Sequence, residues 1–369
     1  MDDRYRIENA DELITPALVY YPDIIAENID RMVRMAGGPE RLCPHVKTYK
    51  TAPVVRMLLN KGIRAFKCAT IAEAEMTAEC GAEKVILAYP LVGVSIKRFL
   101  TLCKSYPGTT FFAIGDDESQ VRLLSDAAIQ EGRRVSFLLD IDTGLHRTGV
   151  SPALAAQLYP KLCSLPGIAP QGFHVYDGQH HESEEAVRHA AVLQESKHIF
   201  ALQAQLTRSG LPCDLIVAGG TPTFPCHITE RVLLSPGTCV IQDAGYRAAY
   251  RDLQFEIAGL VLTRVISHPG DDLFTLDLGC KAIASDPPIP RSVILDYEDC
   301  ETLIHNEEHM VLRLPSGEAH RRPAIGTTLY AVPWHTCPTT LLYPEILAVQ
   351  NHRIIDIWPV TARDRKIRI

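Results

Sequence analysis

The chain has 369 residues, 46% hydrophobic and 22% charged, with a formal net charge of -7 and no basic block; the length favours two domains over one, and the charge argues against a nucleic-acid partner. The polar opening "MDDRYRIENADELI" lacks the apolar centre of a signal peptide, and no apolar run reaches the roughly 18 residues of a membrane span, so a soluble, cytoplasmic protein is expected. The 11 cysteines are an odd number without a CxxC pair, which argues against a disulfide framework or zinc ribbon and makes most of them small apolar core residues.

The first strand-like run, "TPALVYY" (15–21), precedes everything else, and residues 1–21 are expected to join a β-domain at the other end of the chain. From 22 to 250, short apolar runs alternate with helical stretches: "RLCPHV" (41–46), "AFKCAT" (65–70), "KVILAYP" (84–90), "TTFFAIG" (109–115), "VSFLLDID" (135–142), "GFHVYDG" (172–178), "DLIVAGG" (214–220) and "RVLLSPG" (231–237). Continuous apolar strands alternating with helices imply parallel strands covered on both faces. Eight such units in this length predict a (β/α)8 barrel over 22–250, with a doubly wound open sheet as the competing arrangement. After 250 the texture changes to apolar–polar alternation punctuated by Gly and Pro, which predicts a smaller antiparallel β-domain over 251–369.

Barrels place chemistry at the C-terminal ends of their strands. The first run exits with His45 and Lys47, the fifth with Asp140, Asp142, His146 and Arg147, and the sixth with His174, Tyr176, Asp177, His180 and His181. The seventh exits through "AGGTPTF", where Gly219 and Gly220 let backbone N–H groups approach an anion and Thr221 and Thr223 add hydroxyls. The eighth repeats that chemistry with Gly237 and Thr238. Phosphate-binding loops after strands 7 and 8, with a lysine at another strand exit, are what pyridoxal phosphate needs: loops for the phosphate, an amine for the Schiff base. Composition alone does not choose Lys47 over Lys50 or Lys67.

Together "PHVKTYK", "DIDTGLHRTGV", "GFHVYDGQHH", "AGGTPTF", "SPGTCVIQDAGY" and "WHTCPT" resemble, in order from about residue 16 to 363, the D-threonine aldolase and D-serine dehydratase family. These are pyridoxal-phosphate enzymes of the alanine-racemase fold with a metal ion as second cofactor. The resemblance implies that Lys47 forms the Schiff base, that Arg147 contacts the ring's 3-oxygen, and that Tyr176 sits by the pyridine nitrogen. It further implies that Gly219, Gly220, Thr221, Gly237 and Thr238 hold the phosphate, that His335 and Cys337 bind the metal, and that subunits pair as a homodimer. His45, beside Lys47, joins the catalytic candidates.

The i, i+2 spacing of His335 and Cys337 predicts one strand with both side chains on one face. Imidazole plus thiolate favours Zn²⁺, with Mn²⁺ as a further possibility, over Mg²⁺ or Ca²⁺. Metal-dependent D-threonine aldolases carry His-x-Asp here, so the thiolate matches the dehydratase side, whereas "GGTPTF" and "HVYDG" are closer to the aldolases. Weaker clusters are His305 and His309 in "HNEEHM", and Lys281 and Asp286 in "LGCKAIASD". The expected activity is a lyase acting on β-hydroxy D-amino acids, as an aldolase giving glycine and an aldehyde. The alternative is a dehydratase of D-serine or D-threo-3-hydroxyaspartate giving a keto acid and ammonia. An amino-acid racemase, with Tyr246, Tyr250 or Tyr343 as second base, and a non-catalytic cofactor-binding protein are further alternatives.

Overall fold

The structure, a computed structural model, describes residues 1–228 and 231–369. It comprises two compact units, one of Met1–Asp30, Thr48–Pro53 and Thr238–Arg363, the other of Arg31–Lys47, Val54–Gly237 and Asp364–Ile369. Strand β1 (Ala17–Tyr20) belongs to the first unit. The second holds β2 (Ala65–Cys68), β3 (Lys84–Leu87), β4 (Thr110–Gly115), β5 (Val135–Ile141), β6 (Ile168–Val175), β7 (Leu215–Ala218) and β8 (Leu233–Leu234). These seven pair in chain order and in parallel. The helices between them start at the polar residues that satisfy their first N–H groups: Thr70 accepts from Glu73 N, and Asp117 from Gln120 N.

The expected first barrel strand is not a regular one. Residues Pro39–Arg41 and Val46–Thr48 are single 3-10 turns, and between them only Leu42 bridges Leu234 and His45 bridges Lys67. Pro44 has no N–H to give a ladder, so the run pairs piecewise: Cys43 N donates to Leu234 O (2.7 Å), His45 N to Pro236 O (2.9 Å), and Lys67 N to Pro44 O (3.0 Å). The run still bonds to both neighbours, filling the gap between β8 and β2 in a barrel.

The barrel interior is apolar near the strand starts and polar near their ends. Cys43, Ala65, Ile86, Phe112, Ile114, Leu138 and Val217 form one buried cluster, where each large side chain contributes roughly 1.5–3 kcal/mol of burial. Side chains two apart on a strand share a face. Lys67 therefore follows Ala65 into the interior, and Asp140 follows Leu138, one layer nearer the C-terminal ends.

The first unit is built on β1 and on β9 (Gly259–Gly270), β10 (Leu273–Leu276), β11 (Ser292–Ile294), β12 (Glu301–His305), β13 (Met310–Arg313), β14 (Thr328–Pro333), β15 (Glu345–Gln350) and β16 (Arg353–Pro359). Its main sheet has the order β12-β13-β10-β9-β1-β15-β16, with β14 pairing β9 and β11. The sheet is antiparallel apart from β1 and β15, which run parallel, a pairing that needs a long connection between the strands. Among the described residues no helix is long and apolar enough to cross a membrane.

Candidate active site

A cavity of about 530 Å³ opens at the C-terminal ends of the barrel strands, lined by His45, Lys47, Lys67, Arg147, His174 and Tyr176 together with apolar residues of the 88–92 segment. That is the size and character of a small-molecule site. Lys47 sits in the turn after the first run, and its backbone N–H points at His45 Nδ1 (3.4 Å). Arg147 arrives from the loop after β5. Asp142 shapes that loop by accepting from the N–H of Gly144 and of His146 (3.0 Å each). His146 takes a left-handed conformation (φ 56°) and leaves its ring in solvent, so it lies outside the site. The Arg147 guanidinium lies 4.6 Å from the centre of the Tyr176 ring, a cation–π distance.

Below these, Asp140 and His174 form a buried pair, His174 Nδ1–H donating to Asp140 Oδ1 at 2.7 Å while Thr148 donates to Oδ2 at 2.8 Å. Burial opposes the Asp140 charge, but the His174 and Thr148 hydrogen bonds outweigh it and hold the carboxyl below its usual range. His174 is pushed toward neutrality by burial first and by the Lys67 charge second. Its Nε2 is buried and lacks a hydrogen-bond partner, so it presents an unused acceptor within a residue that lines the cavity.

The loops after β7 and β8 form a cradle. Gly219 has φ 78°, and a Cβ there would stand 2.8 Å from Phe224 Cα; a Cβ on Gly237 would stand 2.8 Å from His45 O. Thr221 Oγ1 accepts from Gly237 N at 3.2 Å, tying the two loops together. Asp177 braces the first loop from below, accepting from Thr223 Oγ1 (2.8 Å), His227 Nε2 (2.8 Å) and Gly220 N (3.4 Å). Gly220 packs on the Tyr176 ring, where its Cβ would come within 3.3 Å. Tied glycine loops that adjoin the cavity through Tyr176, and a lysine that lines it, fit a phosphorylated aldehyde cofactor such as pyridoxal phosphate. Thr238 follows Gly237 directly, yet its hydroxyl lies in the other unit, 3.7 Å from Cys337 Sγ.

His335 and Cys337 do not lie on a strand. β14 ends at Pro333, and His335 is the N-cap of the helix Thr336–Leu342, with Cys337 in its first turn. Pro338 explains the change, since a proline is well placed in a helix's first turn and ends the strand ladder. The two side chains still meet. Burial alone would lower the His335 pKa, but the hydrogen bond with Cys337 and the neighbouring Asp286 hold it up at about 9. Cys337 Sγ lies 3.2 Å from Thr48 Oγ1. Asp286 Oδ2 is 2.5 Å from His335 Nδ1, leaving Nε2 as the nitrogen that can face an ion. Among the described residues no cluster of three or more His, Cys, Asp or Glu side chains is arranged to hold a metal. Two donors with open positions fit a catalytic ion, not a closed structural site. If Asp286 orients His335 in this way, Asp286→Asn should weaken metal affinity by roughly 10–100-fold, read by competition with a chromogenic chelator.

Other candidates sit elsewhere. His180 donates to Glu195 Oε2 (2.7 Å), and His181 engages Gln179 O (2.6 Å); neither lines the cavity. Lys281 is exposed between Glu307 and Glu308. His305 accepts from Arg291 at 2.8 Å, and His309 lies in the turn after β12. The Tyr343 hydroxyl is spent on Ala282 O (2.6 Å), and Tyr246 and Tyr250 stack edge-on at 5.4 Å. The brace of Asp177 and His227 joins residues 50 apart in sequence, and no local motif announces it.

Residues 22–244 match the family model of the alanine racemase N-terminal domain, and 258–349 match that of a serine dehydratase domain. The chain is 30% identical to a D-threonine aldolase from Arthrobacter, over 95% of this chain and 92% of that one. It is 26% identical to a D-threo-3-hydroxyaspartate dehydratase from a Delftia species, over 94% and 97%. The crystal structure of a D-threonine aldolase from Filomicrobium marinum superposes with a TM-score of 0.86 at 26% identity, covering 97% of this chain and 98% of that one.

Proposed function

From the premise that this chain belongs to the D-threonine aldolase and D-serine dehydratase family of the alanine-racemase fold, we propose that it is a pyridoxal-phosphate- and metal-dependent lyase that cleaves β-hydroxy D-amino acids to glycine and an aldehyde. The observation that carries this reading is the convergence of Lys47, Arg147 and Tyr176 on one cavity, with the glycine loop after β7 packed on the far side of the Tyr176 ring through Gly220. The full-length likeness to a D-threonine aldolase supports the reaction class.

In this reading the cofactor supplies an electron sink and the metal a Lewis acid. Lys47 would hold the cofactor covalently through its amine. Gly219, Gly220, Thr221, Gly237 and Thr238 bind the phosphate. Arg147, stacked on Tyr176, would donate to the ring oxygen, and Tyr176 would sit by the ring nitrogen. His45, beside Lys47, holds or passes the proton that leaves the substrate hydroxyl. His335 and Cys337 hold the divalent ion, Zn²⁺ by preference and Mn²⁺ otherwise. The cofactor is assigned to 22–250 and the metal to 251–369, with 1–21 joining the latter, in a cytoplasmic homodimer.

A second reading, the dehydratase, is favoured by Cys337 and by the likeness to the Delftia enzyme. One assay separates them: purified protein with cofactor and Zn²⁺ or Mn²⁺, offered D-threonine, D-serine and D-threo-3-hydroxyaspartate. Glycine plus aldehyde is the expected product. Keto acid plus ammonia would transfer the assignment to the dehydratase, and neither product would overturn the lyase.

A further inference from the structure

We propose that Lys67 is a second functional amine of the cavity, a positioning residue whose buried charge sets the protonation state of the cofactor that Lys47 holds. The proposal rests on the cofactor reading above and adds a residue to it.

The placement is dictated by the barrel. Ala65 lies in the apolar cluster and Lys67 is two residues on, so its side chain must enter the interior. It is 3% exposed and lines the same cavity as Lys47. Its Nζ donates to Ser235 Oγ at 2.9 Å and stands 5.4 Å from the centre of the Tyr176 ring, the ring that Arg147 also covers. Among the described residues Nζ has no ion pair. A buried ammonium with one neutral partner is costly. An apolar side chain of the same length would fill the space without that cost, so packing alone does not account for it.

The groups around Lys67 show what its charge does. The first run contributes Cys43 and Lys47, β5 contributes Asp140, and β6 with its exit contributes His174, Tyr176 and Asp177. Burial, as the largest cause, and Lys47 lower the Lys67 pKa while Cys43, Asp177 and Asp140 oppose them, and it settles at about 8. In turn, Lys67 is the second cause that keeps His174 neutral. The interior thus already resists a further positive charge. A pyridoxal cofactor carries two basic nitrogens, the ring nitrogen and the one through which lysine holds it, and an anionic ring oxygen. A cation within several ångströms lowers the pKa of a nearby base by roughly 1–3 pH units. Lys67 would therefore keep the cofactor's nitrogens less protonated and its oxygen ionised.

The test uses the loaded enzyme and reads absorbance, not turnover. The pH midpoint of the bound cofactor's visible band is measured for the wild type, Lys67→Met and Lys67→Arg. Lys67→Met should raise the midpoint by on the order of one pH unit, and Lys67→Arg should leave it near the wild-type value. If Lys67→Met does not fold, Lys67→Gln, which can still bond to Ser235, is read in its place. An unmoved midpoint in a folded, neutral variant would mean that Lys67 only supports the fold, and the proposal fails. Borohydride reduction and peptide mapping separate that failure from others. Cofactor fixed on Lys47 is expected; cofactor fixed on Lys67 would overturn both this proposal and the Lys47 assignment. A wild-type protein with no visible band would overturn the cofactor reading itself.

Discussion

Lys47→Ala is expected to lower turnover by about 10³-fold or more, the scale of loss when a covalent nucleophile is removed, while the protein stays folded. The two halves of that expectation have separate grounds. Lys47 lies at the rim of the cavity in a one-turn segment, outside the apolar cluster that fills the barrel. Its truncation opens no cavity in the core, so the stability change should stay near the ±0.5 kcal/mol of an ordinary surface substitution. Chemically, no other residue replaces it: Lys67 is tied to Ser235 at 2.9 Å on the interior of β2, and Arg147 does not form Schiff bases. Turnover and thermal unfolding of the same preparation check both halves. A variant retaining more than a tenth of wild-type activity would show that the covalent lysine lies elsewhere.

Removing the metal should have the next largest effect. Chelation is expected to cost 10²-fold or more in turnover, the consequence of losing several kcal/mol of charge stabilisation at about 1.4 kcal/mol per tenfold, and added Zn²⁺ should restore it. His335→Ala and Cys337→Ala should reproduce the loss without rescue by the ion. These variants are clean because His335, although an N-cap, makes no capping hydrogen bond through its side chain, so its removal costs the helix Thr336–Leu342 no cap. Cys337 gives up contacts to the hydroxyls of Thr48 and Thr238 and its hydrogen bond with His335. Cys337→Asp should keep activity while shifting preference from Zn²⁺ toward Mn²⁺, because a carboxylate suits a harder ion than a thiolate does. Full activity in a metal-free preparation would remove the ion from the reaction.

Part of this site was legible because its signals are local. Gly219, Gly220 and Gly237 follow apolar runs directly, and Lys47 follows another. The pair His335 and Cys337 is legible too, but its setting is not: an i, i+2 spacing suits one face of a strand, and an N-cap with the first turn of a helix brings the same residues together. Pro338 was the signal for the helix, and Pro44 was the signal that the first run could not be a regular strand. Lys67 was visible as a lysine within an apolar run, but parallel strands buried on both faces show no alternation, so the sequence offers no inward and outward side.

The order of β and α elements, the position of the glycine-bearing loops, and the residue types available for covalent and metal chemistry are properties of short stretches, and the amino-acid sequence alone determined them. The tertiary structure decided which of three lysines stands at the rim and which lies beneath, that Asp286 meets His335 from 49 residues away, and that Asp177 and His227 brace the cradle from 50. Such pairings arise only when strands close into a barrel or a sheet. The desolvation that shifts Lys67 and His174 exists only in that assembled interior, where water is gone and charges a few ångströms apart act on one another.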